Sequence, residues 1–233
     1  MRDMSNQGFP LLARWRFATL PSAFLLAAQL VSLALYAAFD GTSSGRSIIA
    51  VFGLLVLVLA VWVVNHSPAA NWIAWVLASL AGVLTVLSEL VTVNPPLAAW
   101  AAVFAAALYF YTAGSLIVYM LGDYRVTVDE LYAAGATFTL LAWGFAYLYL
   151  VCQAWFPGSF AGALRPDEPR TFIELMSLSF TNLTATGLGD VIPIGAPARV
   201  LVMLEQFAGI GYLAMVVSRL VGMTLAAQER GKP

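Results

Sequence analysis

Six apolar runs, each near the length of a bilayer crossing, dominate this chain: Phe17–Phe39, Ser47–Val64, Trp72–Val93, Leu97–Leu121, Val128–Trp155 and Ala198–Met223. About 20 consecutive apolar residues in a helix cross a hydrocarbon core. No water is available there, so a spanning segment satisfies its backbone N–H and C=O groups internally, as a helix does. The runs are separated by turn chemistry: the polar stretch Asp40–Arg46, then Asn65-His66-Ser67-Pro68, Asn94-Pro95-Pro96 and Gly122-Asp123-Tyr124-Arg125. Composition agrees: 61% of the 233 residues are hydrophobic and only 10% are charged, against about 25% charged in soluble domains. The first run follows Arg14 and Arg16 as a secretory leader would. It exceeds the roughly 7–15-residue apolar core of a leader and reads as a retained first helix.

An even number of spans puts both termini on one side. Arg2, Arg14, Arg16, Arg125, Arg219, Arg230 and Lys232 then share a face, with Arg46, Arg165, Arg170 and Arg199 opposite. The basic excess marks the first face as cytoplasmic. The expected location is a plasma membrane, of the bacterial inner-membrane type, with both termini inside. A net charge of -1 without any basic run argues against a nucleic-acid partner. Cys152 is the single cysteine and His66 the single histidine, so an intrachain disulfide and a Cys/His zinc site are both excluded. His66 reads as a solvated loop residue. No nucleophile, general base or metal cluster suggests an enzyme, and no cofactor is expected.

The segment between the fifth and sixth runs is of a different kind. Thr171-Phe172-Ile173-Glu174 has the form of a capping box and opens a helix to about Leu183, too short to span. A second box, Thr127-Val128-Asp129-Glu130, precedes the fifth run. After Leu183 comes Thr184-Ala185-Thr186-Gly187-Leu188-Gly189-Asp190. Non-helical backbone at membrane depth persists only where protein buries it or water lines it. Glycines on either side of Leu188 permit backbone angles that let consecutive carbonyls point one way. A ring of such carbonyls replaces the hydration shell of a monovalent cation. The end of the short helix adds a partial negative charge.

This segment resembles the selectivity filter of tetrameric potassium channels, whose usual form is Thr-Val-Gly-Tyr-Gly-Asp. Ala185, Thr186, Gly187, Leu188, Gly189 and Asp190 align with it and agree at Gly187, Gly189 and Asp190. The resemblance extends from about Val128 to Met223, with Pro193 after the filter, Arg199 at the start of the last helix and Gly209 at the gating-glycine position. The string Leu204-Glu205-Gln206…Gly211-Tyr212-Leu213-Ala214…Ser218-Arg219-Leu220-Val221-Gly222 is similar to bacterial six-helix members that lack a charged voltage sensor. The resemblance implies an all-α membrane protein of six transmembrane helices, with a re-entrant pore helix and filter loop between helices five and six. Residues 1–126 would form a peripheral four-helix module and residues 127–233 the pore domain. The chain would self-associate as a homotetramer in the lipid bilayer and conduct potassium passively. Backbone carbonyls of Ala185, Thr186, Gly187 and Leu188 would bind the ion, within a filter running from Thr184 through Gly189 to Asp190. Gln206, Gly209, Ile210, Leu213, Val217 and Val221 are the implied pore-lining or gating residues. A gating ligand of unknown identity stays open as a further partner.

The departures from the family pattern fall in the filter and in the short helix before it. Ala185 lacks the hydroxyl that helps form the innermost ion site. Leu188 replaces a tyrosine, and Ser177 and Leu178 replace the tryptophans that brace it. Thr186 adds a hydroxyl at a valine position. A looser filter is expected, which keeps a weakly selective sodium/potassium channel as an alternative; a non-conducting regulatory membrane subunit is another. An ion-coupled transporter is expected to show repeated halves, and the sequence has none. Ala185→Thr combined with Leu188→Tyr is the substitution pair this comparison singles out for sharpening potassium preference.

Glu205 is an ionisable group inside a span and so a functional candidate. Helical arithmetic places Gln206, Ile210, Leu213 and Val217 on one face and Glu205 roughly 110° from its centre. It reads as a buried anchor toward the short helix, bonded to Thr181, Asn182 or backbone, with a proton-sensitive gate as the alternative. Glu89 reads as an interfacial residue, and Tyr109, Phe110 and Tyr111 as packing.

The first four helices resemble a voltage sensor only in number. No Arg or Lys occurs between Arg46 and Arg125, whereas voltage sensing draws about 2.3 kcal/mol per charge per 100 mV from several such residues. The sequence ends at Pro233, soon after the sixth run, so no cytoplasmic ligand-binding domain is expected and the gating stimulus is not legible. Open probability in planar-bilayer recordings is therefore expected to vary little with voltage. A conductance–voltage curve with the steepness of several elementary charges contradicts this.

Overall fold

The computed structural model describes residues 20–39, 43–65, 70–90, 95–122, 128–163, 165–187 and 189–230. His66, Thr127 with its capping box, Leu188 and the Glu89 side chain lie outside the described residues. The six apolar runs become α1 (Pro21–Phe39), α2 (Ser43–Val64), α3 (Asn71–Leu90), α4 (Pro95–Leu121), α5 (Val128–Trp155) and α7 (Ala196–Arg230). The short α6 (Phe172–Leu183) stands between the last two. Among the described residues four stretches are long and apolar enough to cross a membrane: Asn71–Ser88, Pro96–Leu121, Asp129–Trp155 and Ala196–Arg219. Pro21–Tyr36 and Phe52–Val64 are shorter apolar stretches of the same kind.

The all-helical expectation needs one addition. β1 (Phe160–Gly162) and β2 (Val191–Pro193) pair antiparallel, with Phe160 opposite Pro193, Ala161 opposite Ile192 and Gly162 opposite Val191. Strands of three residues are too short to show a two-residue alternation and leave no periodic signal. The ribbon joins the chain leaving α5 to the chain entering α7. It is extended by the Ala163 N–H to the Asp190 carbonyl at 3.0 Å and the Ile194 N–H to the Ser159 carbonyl at 2.8 Å. Everything from residue 163 to residue 190, α6 included, is thus a loop closed at its base.

α5 is the hub, packed by α4, α1, α6 and α7. α4 presents buried small residues, Ala101, Ala102, Ala105, Ala106 and Ala113, and small side chains let membrane helices approach closely. Polar ties then fix neighbours on α5. The Ser22 hydroxyl donates to Asp129 Oδ2 at 3.1 Å, and the Thr139 hydroxyl to Gln29 Oε1 at 2.6 Å, holding α1. Arg219 pairs with Glu130 at 3.3 Å, and the Tyr212 hydroxyl donates to the Ala134 carbonyl at 2.6 Å, holding α7. An aromatic cluster joins the peripheral helices to the start of α6: Phe172 lies 4.9 Å from Tyr147, 5.2 Å from Tyr36 and 5.6 Å from Trp143 between ring centroids. Tyr109 stacks on Trp143 and Tyr147, and Phe110 meets Phe145 edge-on, so these aromatics are packing groups.

The loop before α6 folds around Arg170. Its backbone is held by Gln153, whose Oε1 accepts the Arg170 N–H at 2.7 Å and whose Nε2 donates to the Arg170 carbonyl at 3.0 Å. The buried guanidinium donates to the carbonyls of Arg165 and Glu168 and lies 3.6 Å from Glu174. It rests on Gly162, where an added Cβ would collide with its Nη1 and stand 2.9 Å from its Cζ. Gly162→Ala is therefore expected to lower stability by about 1–3 kcal/mol through overpacking. Arg165→Ala removes only an exposed pair with Glu168 and should cost about 0–1 kcal/mol. Thermal unfolding of both variants in one detergent tests the contrast; equal midpoints contradict it.

Candidate functional site

The capping box at Thr171 forms as the sequence indicates. Glu174 Oε2 accepts the Thr171 N–H at 2.7 Å, and Thr171 Oγ1 accepts the Glu174 N–H at 3.4 Å. Two otherwise unpaired donors of the helix start are thereby satisfied. The other end closes in a Schellman motif. The Ala185 N–H donates to the Asn182 carbonyl and the Thr186 N–H to the Thr181 carbonyl, both at 3.0 Å. Between these bonds Ala185 takes a φ of 56°, the left-handed conformation the motif requires. The Gly187 N–H adds a bond to the same Thr181 carbonyl at 3.2 Å, and Gly187 is itself left-handed at φ 64°.

These three donors decide where the carbonyls go. In a planar trans peptide the C=O points opposite to the N–H of the following residue, and no cis bond occurs among the described residues. The N–H groups of Ala185, Thr186 and Gly187 turn back onto α6. The C=O groups of Thr184, Ala185 and Thr186 therefore point away from it. The hydroxyls stay behind: Thr184 Oγ1 donates to the Phe180 carbonyl at 2.7 Å and Thr186 Oγ1 to the Thr181 carbonyl at 3.2 Å. The single chain thus presents a short row of carbonyls from exposed residues, all acceptors and none a donor. Leu188 lies outside the described residues, while Gly189 and Asp190 are exposed and lead into the ribbon.

Among the described residues of this segment the left-handed ones are Ala185 and Gly187, and Gly189 is not left-handed. Ala185 is forced there by the helix cap, which sequence spacing did not reveal. This also changes the meaning of Ala185→Thr. A β-branched residue at positive φ is a conformational outlier, so threonine at this position strains the cap whatever it offers an ion.

α7 lies across the end of α6. An added Cβ on Gly209 would collide with the Leu183 carbonyl oxygen and stand 2.9 Å from its Cα; only glycine permits this approach. Ile210, Leu213, Val217 and Val221 are exposed, together with Phe207 at 80%, and form an unpartnered apolar face. Gln206 departs from that face. It is half-buried, and its Nε2 donates to Asn182 Oδ1 at 3.2 Å, because the polar end of α6 offers the amide a partner.

Glu205 is fully buried where three helices meet. Tyr149 of α5 donates its hydroxyl to Oε2, and Ser179 of α6 bonds to Oε1. Ser179 Oγ also lies 2.8 Å from the Ala142 carbonyl of α5. Sequence reasoning placed Glu205 against α6 but named Thr181 and Asn182. Asn182 does face the carboxyl, while the Thr181 hydroxyl bonds within its own helix to the Leu178 carbonyl at 2.9 Å. Ser179 and Tyr149 were missed. The available signal was a hydroxyl at mid-span, which needs a partner when buried. Ser177, at one tryptophan position of the resemblance, is exposed, and Leu178 is buried. Among the described residues no group of three or more His, Cys, Asp or Glu could hold a metal.

Residues 135–225, from α5 through α6 and the carbonyl row into α7, match the family model described as an ion channel. Comparison with curated proteins and with solved structures gave no match.

Two substitutions probe the geometry. Ala185→Gly relieves a left-handed alanine and is expected to stabilise by about 1 kcal/mol. Gly209→Ala drives a methyl into backbone and should destabilise by about 1–3 kcal/mol. Denaturation midpoints of the purified variants check both; a neutral Gly209→Ala or a less stable Ala185→Gly contradicts the close approach or the cap.

Proposed function

Taking residues 135–225 as an ion-channel domain, we propose that four copies of this chain assemble into a channel that conducts potassium passively down its gradient. The carbonyl row after α6 carries the reading. One chain contributes one row from exposed residues, and four rows around an axis close a cage of oxygen ligands that stands in for the ion's water. Ala185, Thr186, Gly187 and Leu188 supply the carbonyls, with Thr184 at the inner end and Gly189 and Asp190 at the outer. α5, α6 and α7 form the pore domain over residues 127–233, with α6 re-entrant. α1–α4 form a peripheral module over residues 1–126 that completes six spans, with both termini cytoplasmic in a plasma membrane. Ile210, Leu213, Val217 and Val221 line the cavity below the filter, and Gly209 sets the distance between α7 and α6. The protein is not conventionally voltage-gated.

Weak discrimination between sodium and potassium is a second reading favoured by one observation. The hydroxyls of Thr184 and Thr186 are turned back onto α6, and Ala185 has none, so the inner end of the row offers carbonyls alone. Fewer ligands to a site lower its selectivity among ions.

The purified chain, reconstituted alone, should run as a tetramer and pass potassium. Replacing external potassium by sodium should shift the reversal potential in the direction of potassium preference, by less than the ideal potassium value. A stable monomer that passes no cation overturns the proposal and leaves the regulatory-subunit alternative. A shift at the ideal value overturns the weak-selectivity reading only.

A further inference from the structure

We infer that Glu205 is held as a neutral carboxylic acid, and that in this form it is the positioning residue that fixes α6, and with it the carbonyl row, against α5 and α7. The argument is a count of protons. A serine hydroxyl has one proton and two lone pairs. Ser179 Oγ has two oxygen neighbours, the Ala142 carbonyl at 2.8 Å and Glu205 Oε1. An ionised Glu205 can only accept, as the carbonyl can, and one proton cannot serve both. One of the two oxygens would then face Ser179 lone pair to lone pair. A proton on Oε1 removes the conflict. Oε1–H donates to Ser179 Oγ, Ser179 Oγ–H donates to the Ala142 carbonyl, and the Tyr149 hydroxyl donates to Oε2.

The surroundings agree. The groups facing Glu205 are Tyr149 of α5 and Ser179 and Asn182 of α6, all uncharged. The ion pairs among the described residues engage Glu168, Glu174 and Glu130 instead. A buried carboxylate without a cation is strongly disfavoured, while a hydrogen-bonded neutral acid is not.

The location gives the acid its role. α6 is only 12 residues long and is tied at mid-helix through Ser179 to the α5 backbone on one side and to α7 on the other. The carbonyl row begins at Thr184, about one and a half helical turns beyond Ser179. Rotation or sliding of α6 at Ser179 is therefore carried directly into the row. The second half of the inference rests on the reading of this segment as a cation pore; the first half does not.

Two measurements separate them. The infrared difference spectrum between wild type and Glu205→Gln at neutral pH should show a carboxylic-acid C=O band present only in wild type. A carboxylate pair in its place overturns the neutral acid, and this readout needs no conduction. In reconstituted protein, Glu205→Gln preserves one donor and one acceptor. Its potassium-to-sodium permeability ratio should stay within about twofold of wild type. Glu205→Ala and Ser179→Ala break the chain of bonds and should lower the ratio roughly two- to tenfold, the factor one or two hydrogen bonds supply. If Glu205→Ala fails to assemble, Ser179→Ala decides alone. A Ser179→Ala ratio equal to wild type, or a Glu205→Gln ratio as low as that of Glu205→Ala, overturns the positioning role. A wild type that passes no cation refutes the pore reading, and the infrared band still decides the state of Glu205.

Discussion

A short helix set among long apolar ones has to satisfy its own ends, and that requirement shapes the rest of this structure. Four N–H groups at the start of any helix and four C=O groups at its end lack partners within it. α6 meets the first demand with the Thr171–Glu174 box and the second with the bonds from Ala185, Thr186 and Gly187. Those bonds use donors only. Because the peptide unit is planar, each donor spent on the helix end turns one carbonyl outward. The cap of α6 and the outward carbonyl row are the same set of peptide units seen from two sides.

Around that unit the fold works as a clamp. The ribbon closes the loop at its base, Gly209 lets α7 bear on the backbone at Leu183, and Ser179 joins α6 to α5 and α7 at mid-helix. The start of α6 is held differently, by Phe172 among Tyr36, Trp143 and Tyr147. Tyr36 belongs to α1, so the first helix of the chain reaches the element that carries the row. Among the described residues, Ser177 and Leu178 offer no tryptophan beside the row, while Ser179, Tyr149 and Glu205 tie α6 to α5 and α7 from behind.

Much of this was legible in the sequence because it is local. Apolar length placed most described helix ends within four residues, though α7 runs on from Met223 to Arg230, and Thr171 with Glu174 marked the start of α6. Gly187, Gly189 and Asp190 marked the loop. Helical arithmetic put Glu205 against α6 rather than on the exposed face. What escaped depends on contacts distant in the chain. Ser179 and Tyr149 are 26 and 56 residues from Glu205, and no local pattern relates them. Gln206 shares a helical face with Ile210, yet its amide turned toward Asn182 because a partner was there. Gly162 reads as an ordinary loop glycine until Arg170 is folded over it. The left-handed Ala185 was hidden because alanine is not the residue a Schellman motif usually selects.

The central claim is that the carbonyls after α6 coordinate a monovalent cation on an axis shared by four chains. The most direct measurement is an experimental structure of the reconstituted protein in rubidium, with anomalous scattering used to locate the ion. The account predicts rubidium on a fourfold axis, level with the carbonyls of Ala185 and Thr186. An assembly in which Ala185 and Gly187 face lipid, with no anomalous peak between the chains, would contradict it.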